Sequence, residues 1–310
     1  MALPALSGVA IAPVIGGYVG EKLGWRWVFW ITAMVGSLCE AGFLLVFRES
    51  YKVKILKKKA ERMRRETGNQ NFHSMYDSNY ASRYQLFTEA LVRPTKIVVM
   101  SPIVLVISLC FAMVFGYLYL ITTTMTQVFE DDYNVSEGTA GLMFLGRAIG
   151  SIIGVTVCKM TMDRYVVAKK ATPGGMKPEH RLPPMIVGSI YMPAGLLYGW
   201  GAQYQLPWIV PVLGTGLVGI GLTLTTISVN SYLADAFSIY AASAVAASVI
   251  SSCVASALLP MVGPSLYKHL GVGWGNSVLA FTAVAFIPVP VLLMRFGERA
   301  RNYSKFVVVL

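Results

Sequence analysis

Residues 13–27 read PVIGGYVGEKLGWRW, and residues 260–274 read PMVGPSLYKHLGVGW. Both stretches begin near the end of one apolar segment and run into the start of the next. The constant offset between them predicts an internal repeat. The five identities pair Pro13 with Pro260, Gly16 with Gly263, Leu23 with Leu270, Gly24 with Gly271, and Trp27 with Trp274.

The composition around these stretches is that of a membrane protein. Of the 310 residues, 55% are hydrophobic and 13% are charged, whereas ordinary soluble domains carry roughly 25% charged residues. Long windows contain no charge and short windows contain many, which is typical of a chain whose main solvent is lipid.

A membrane-spanning helix needs about 20 mostly apolar residues. On this criterion the sequence predicts an all-α membrane protein of about eight transmembrane helices. The predicted spans are 1–19, 25–47, 97–122, 138–160, 184–202, 207–232, 240–263 and 274–295.

Basic residues are concentrated in two inter-span loops and the tail. Residues 48–96 carry twelve Lys or Arg, residues 159–183 carry six, and the tail from Arg295 carries four. Because positive charge favours the cytosolic side, we expect both loops and the C-terminus to be cytosolic. This topology also accounts for the net charge of +11, so nucleic-acid binding is not expected.

The repeat divides the chain, because six steps separate its first span from its seventh. We expect residues 1–47 to be the last two spans of one six-span half and residues 97–296 to be a complete second half. Residues 48–96 would form a basic cytosolic linker, and residues 297–310 a cytosolic tail.

Small residues at four-residue spacing predict faces where helices pack closely in lipid. The three rows are Gly8, Ala12, Gly16 and Gly20; Gly146, Gly150 and Gly154; and Ser248, Ser252 and Ser256.

The basic segment 52–66 places Val53, Leu56, Ala60 and Met63 at helical spacing. Two interpretations stand side by side for it. It is either a helix lying against cytosolic headgroups or a solvated linker helix.

Several stretches resemble one known family. GVAIAPVIGG, residues 8–17, resembles the antiporter signature of the fifth span of drug:proton antiporters, with Gly8, Pro13, Gly16 and Gly17 matching it and Ala12 replacing a glycine. Further resemblance to fungal members lies in LGWRWVFWI (23–31), PEHRLPPMIVGS (178–189), YAASAVAAS (240–248) and LGVGWGNSVLAF (270–281).

The chain thus resembles the fungal twelve-span drug:proton antiporters and polyamine-transporter-like proteins of the major facilitator superfamily. The resemblance implies a major facilitator fold from which the first four spans, before Met1, are absent. It also implies a proton gradient as driving force, with no cofactor, and a small-molecule substrate. A multi-pass location in the plasma membrane is the family expectation.

Polar residues at membrane depth are candidates for a substrate or proton pathway, because burying them in lipid is costly. Arg147 could bind an anionic group, or snorkel or pair structurally. Glu40 could carry a proton or reach the cytosolic interface. Asp235 could carry a proton or act at a helix boundary. Tyr117 could face a substrate or lipid, and Asn230 a cavity or a neighbouring helix.

The sequence contains no pattern of metal ligands and no catalytic constellation, so neither a metal site nor an enzyme is expected. Asn134, in Asn-Val-Ser, is a glycosylation sequon on the predicted outer side, whereas Asn302 is predicted to be cytosolic. The leading functional hypothesis is proton-coupled export of drugs, polyamines or small metabolites. The alternative is a non-transporting fragment, either a partner subunit or an inactive remnant, and the oligomeric state stays open.

Overall fold

The computed structural model describes residues 2–47, 52–68, 83–170, 177–237 and 240–303, and no strand occurs within these ranges. The chain divides into two compact units, one of Met1–Trp25 with Arg93–Leu310 and the other of Arg26–Val92. Parts of the predicted loops 48–96 and 159–183, and the second half of the predicted tail, lie outside the described residues.

Eleven α-helices and two short 3₁₀ helices make up the described ranges. The helices are α1 Ala2–Leu23, α2 Trp25–Val46, α3 Lys52–Thr67, α4 Arg83–Met100, α5 Pro102–Tyr133, α6 Glu137–Lys170, α7 Pro183–Tyr191, α8 Gly195–Gln203, α9 Ile209–Phe237, α10 Ala241–Phe286 and α11 Pro288–Tyr303, with 3₁₀ helices at Pro178–Arg181 and Met192–Ala194.

Five helical segments of the described chain are both long and apolar enough to cross a membrane. They are Trp25–Val46, Pro102–Tyr133, Glu137–Met162, Ile209–Phe237 and Ala241–Gly297. The last of these is 57 residues long and contains both of the final two predicted spans. The predicted span 184–202 is present as α7, the 3₁₀ turn and α8, because Pro193 interrupts the regular helix.

The two repeated stretches adopt matching turns. Gly24 ends α1 with a φ of 89°, and Gly271 breaks α10 with a φ of 78°. This left-handed region favours glycine because a Cβ atom is strained there. The equivalent glycines thus break the chain at equivalent points, which supports the internal repeat.

The core of the first unit forms where α5 runs along α10. A Cβ atom on Gly116 of α5 would lie 2.6 Å from a methyl carbon of Leu259, so the two helices approach closely there. One apolar cluster surrounds Tyr117 and Phe129 of α5, and a second surrounds Phe111 of α5 and Tyr232 of α9. All four side chains are buried.

The glycine row of α6 packs against α9, as its spacing predicts. A Cβ atom on Gly146 would collide with Val212, and one on Gly150 would collide with the backbone oxygen of Gly216. Gly154 is nearly as tight, because its Cβ would lie 3.0 Å from Thr223. The small residues therefore allow backbone-to-backbone packing, and this predicted helix contact is confirmed.

The second unit contains most of α2, all of α3 and the start of α4. None of the described side chains of α2 is buried, and large apolar residues such as Phe29 and Leu38 are exposed. The segment predicted as a basic loop includes α3, and the apolar residues of 52–66 are at helical spacing in the sequence. It also includes α4 from Arg83, which the polar composition of that stretch did not indicate.

Candidate functional site

The antiporter-like stretch lies on α1, which packs against the start of α6. A Cβ atom on Gly17 would lie 2.8 Å from the backbone oxygen of Glu137, and one on Gly141 would lie 2.6 Å from that of Pro13. At the end of this contact the Gly138 N–H donates to Oε2 of Glu21 at 2.8 Å. The carboxylate thus caps the N-terminus of α6, where a negative charge is favoured.

Pro13 and Gly17 therefore belong to the α1–α6 contact, whereas the other motif residues lie elsewhere on α1. Gly8 and Ala12 are exposed, and Cβ atoms on Gly8 or Gly16 would meet nothing within 4 Å. Of the predicted row of Gly8, Ala12, Gly16 and Gly20, only Gly20 comes near α6, since its Cβ would lie 3.6 Å from Oε2 of Glu137. Along the rest of α1 the packed face lies one residue away from the row, or about 100° around the helix.

Arg147 lies on α6 among the residues that pack on α9. Its backbone oxygen would be 2.6 Å from a Cβ atom on Gly219, and its side chain is partly buried. The Nε atom is buried without a hydrogen-bond partner among the described residues. Tyr119 of α5 is its titratable neighbour. The guanidinium therefore keeps at least one N–H donor that no described residue accepts.

Tyr117 of α5 is fully buried and faces the interior of its own unit. Its ring lies so close to Gly195 that a Cβ atom there would overlap the hydroxyl. Tyr117 lines an apolar cavity together with Met113, Met185 and Thr225. About 20 Å³ of this cavity is open to water-sized molecules, which is room for about one water molecule. This cavity is too small for a drug-sized substrate.

A larger cavity, which we call the α5–α10 pocket, opens between these two helices. Its volume is about 320 Å³, within the roughly 300–1,000 Å³ of small-molecule sites. The residues that line it are Thr124, Gln127, Val128, Asp131, Asp132, Pro264, Tyr267, Lys268 and Val272. Two carboxylates face one ammonium group there, which favours a cationic ligand.

A hydrogen-bond network holds Tyr267, one of the residues that line this pocket. The Asn276 side-chain amide donates to the Tyr267 hydroxyl at 3.0 Å and to the Val272 backbone oxygen at 2.9 Å. Asn276 is fully buried, and its Oδ1 atom has no partner in the described part of the chain. The amide holds the Tyr267 ring in place, because rotating either side chain would break a bond in an apolar setting.

The ends of α8 and α10 are also joined near the pocket. Oε1 of Gln203 accepts a hydrogen bond from the Gly273 N–H at 2.6 Å, and Nε1 of Trp200 donates to the Ser277 hydroxyl at 3.0 Å. Both bonds follow the break at Gly271, and the bond to Gln203 satisfies the backbone N–H of Gly273. The wall of the pocket is therefore anchored at its kinked end.

The remaining predicted site residues are not brought together. Oδ2 of Asp235 accepts a hydrogen bond from Nε of Arg181 at 2.8 Å, so this carboxylate forms an ion pair at the end of α9. Oδ1 of Asn230 is buried without a partner within the described residues. Glu40 is exposed on α2, in the second unit.

Sequence reasoning missed the pocket residues Asp131, Asp132 and Tyr267. The predicted span ends at residue 122, whereas α5 continues as a helix to Tyr133 and includes both aspartates. The helical spacing of Thr124, Gln127 and Asp131 was a signal that could have indicated a polar face.

Asn134 follows α5 directly. It is exposed and adopts a left-handed conformation, with a φ of 52°. Asparagine tolerates this region better than most residues. The side chain is sterically open for modification.

The profile of the Major Facilitator Superfamily matches residues 2–260. The MFS-type transporter tndD of Aspergillus flavipes is 48% identical over 293 residues, which cover 93% of this chain and 54% of the relative. The MFS-type transporter penM of Penicillium rubens is 44% identical, with 98% and 61% covered. The efflux pump radE of Floropilus chiversii is 42% identical, with 99% and 58% covered.

No solved structure matches the chain. The chain spans little more than half the length of these curated relatives. The profile match covers most of the sequence, and the long apolar helices agree with a membrane protein of this type. The chain belongs to the Major Facilitator Superfamily.

Proposed function

We propose that the chain forms part of a secondary transporter that exports small organic molecules in exchange for protons. Cationic drugs and polyamines are the preferred substrate class, and other small metabolites are included. The observation that carries the proposal is the α5–α10 pocket, with Asp131 and Asp132 on one wall and Tyr267 on the other.

The pocket chemistry suits a cation. Carboxylates attract positive charge, and the face of an aromatic ring such as Tyr267 attracts it further. Lys268 lies beside them and lowers the net negative charge, so release of the cation remains feasible. A carboxylate that binds either a proton or a cation provides the exchange that antiport needs.

The α1–α6 contact supports a moving transporter. In this superfamily two bundles rock about a central site. The Glu21–Gly138 bond joins α1 to α6 at one end of their contact, and Arg147 lies farther along α6. A bond at the end of such a contact can form and break as the bundles move.

We propose the plasma membrane as the location and the basic loops as cytosolic, on the charge distribution described above. A relative named an efflux pump, radE, supports export as the direction. We propose no catalytic chemistry for the chain.

The test uses the full chain in proteoliposomes that contain a trapped pH-sensitive dye. A cationic substrate such as a spermidine or rhodamine cation should drive proton movement in wild-type vesicles. Asp132→Asn should reduce the initial rate by roughly tenfold, because Asp132 is half-buried and the loss of one charge interaction of about 1.4 kcal/mol corresponds to a tenfold change.

The matched control is Glu130→Gln, which removes the same charge from the same helix outside the residues that line the pocket. It should transport as the wild type does. Equal rates for Asp132→Asn and wild type would remove the pocket from the mechanism.

The alternative of a non-transporting chain has one observation in its favour. The described side chains of α2 are all at least partly exposed, which is typical of a helix that needs lipid or partners around it. If the reconstituted chain is folded but moves no protons with any tested cation, the alternative is favoured. Rescue on co-expression with a second polypeptide would identify a partner subunit.

A further inference from the structure

Helix α3 carries a dense positive charge close to a membrane-spanning segment. It contains eight basic and two acidic residues between Lys52 and Thr67. Only five residues separate its start from Val46, the last residue of α2. A chain of that length spans at most about 20 Å, so the start of α3 stays near the membrane surface at which α2 ends.

The charges of α3 are arranged around an apolar strip. At about 100° per residue, Leu56, Ala60 and Met63 fall on one face. Lys59 borders this strip on one side, and Lys57 borders it on the other. Leu56 is 41% exposed and Met63 is 37% exposed, whereas Ala60 is buried. Most of the strip is thus open to its surroundings.

Among the residues that the structure describes in this unit, α3 and α2 share no extensive packing. An isolated helix of 16 residues is marginal in water. An ion pair along it joins Nε of Arg62 to Oε1 of Glu66 at 2.7 Å, and an exposed pair of this kind adds little stability. A further surface is therefore needed to hold α3 as a helix.

We propose that α3 lies on an anionic lipid surface, with Leu56 and Met63 inserted at the headgroup level and Lys57 and Lys59 bound to lipid phosphates. The long lysine stems can follow the apolar surface while their ammonium groups reach the headgroups. This proposal goes beyond transport. It rests on one part of the proposed function, namely that the basic loop is cytosolic, since the cytosolic leaflet carries the anionic lipids.

The strip argues for a membrane and against nucleic acid. Nucleic-acid backbones are neutralised by cations and gain nothing from exposed leucine and methionine. A lipid surface accommodates both features of α3 at once. The groups that α3 would bind are the phosphates or carboxylates of lipid headgroups, which lie next to hydrocarbon.

The test measures hydrogen–deuterium exchange of the full chain in nanodiscs. Peptides covering residues 54–67 should exchange roughly tenfold more slowly in discs that contain phosphatidylserine than in discs of phosphatidylcholine alone. Peptides from α5 and α9 report whether the rest of the protein is folded and should not differ between the discs.

Two matched double variants distinguish binding of α3 in one orientation from attraction by its total charge. Lys57→Gln with Lys59→Gln removes two positive charges beside the strip and should abolish the lipid dependence. Lys58→Gln with Arg65→Gln removes two charges from the opposite face and should preserve most of it. Met63→Gln should weaken protection in anionic discs.

Exchange that is the same in both discs would overturn the proposal. Equal losses in the two double variants would also overturn it, because they would indicate non-oriented attraction. Protection that appears only when an added oligonucleotide is present would assign α3 to nucleic acid instead.

Discussion

At the scale of single residues, buried polar atoms distinguish this chain from an apolar bundle. Arg147, Asn230 and Asn276 each keep one buried polar atom without a partner among the described residues. Such an atom is costly in an apolar setting. Asp235 differs, because its ion pair with Arg181 gives it a structural role at the end of α9.

Replacing Arg147 should therefore affect transport more than folding. We expect Arg147→Ala to lower the rate of substrate-driven proton movement at least about tenfold, since a buried charged donor contributes about 1.5–3 kcal/mol. Arg147→Lys should retain an intermediate rate, because lysine keeps the charge but lacks the planar guanidinium. The measurement is the initial rate in proteoliposomes.

A second arginine of the same helix provides the control. Arg164 is exposed near the far end of α6, so Arg164→Ala should transport normally. If Arg147→Ala also transports normally, the guanidinium has no part in the pathway and its burial is structural.

At the scale of helices, glycine determines which faces can meet. The α6–α9 contact brings backbones together at Gly150 and Gly216, and the α1–α6 contact does so at Gly17 and Gly141. Helices in lipid gain little from apolar burial, so close approach of backbones provides the attraction. A single added methyl group therefore acts directly on the helix contact.

Two neighbouring glycines of α1 allow a direct comparison. We expect Gly17→Ala to lower the free energy of unfolding by about 1–3 kcal/mol, because its Cβ would lie 2.8 Å from the Glu137 backbone oxygen. Gly16→Ala should be neutral or slightly stabilising, because its Cβ meets nothing within 4 Å and alanine is the better helix former.

Thermal unfolding of the detergent-solubilised chain, followed by intrinsic fluorescence, measures both effects. A melting temperature that falls equally in the two variants would contradict the packing assigned to α1. A fall in Gly16→Ala alone would place the packed face on the row of Gly8, Ala12 and Gly16.

At the scale of the whole molecule, the charge distribution predicts one orientation in the membrane. The basic residues of 48–96 and 159–183 lie on the same predicted side, and two spans separate these loops. The connection between α5 and α6, with Asn134 at its start, should then lie on the opposite, non-cytosolic side. The two sequons of the chain test this arrangement.

We expect Asn134 to be glycosylated in a eukaryotic membrane and Asn302 to remain unmodified. An endoglycosidase should increase the gel mobility of the wild type and leave that of Asn134→Gln unchanged. Ser136→Thr preserves the sequon and should keep the modified form, whereas Ser136→Ala should lose it. Modification at Asn302 instead would invert the proposed orientation.

The sequence by itself determined the helical segments and the turns between them. Span length and composition are local properties, so the predicted spans correspond closely to α1, α2 and α9, whereas α5 and α6 continue well beyond their predicted ends at residues 122 and 160. The repeat pairs Gly24 with Gly271, and in the structure both residues have a positive φ. Glycine spacing also predicted the packed face of α6, because three small residues in a row leave few other interpretations.

Only the tertiary structure decided which side chains meet. The face of α1 that contacts α6 was displaced from the predicted row, and the α5–α10 pocket joins residues more than 130 positions apart, such as Thr124 and Tyr267. The physical reason is that a helix in lipid is apolar on most sides, so its sequence carries little information about the direction of its neighbours. Packing across the bundle supplies that information.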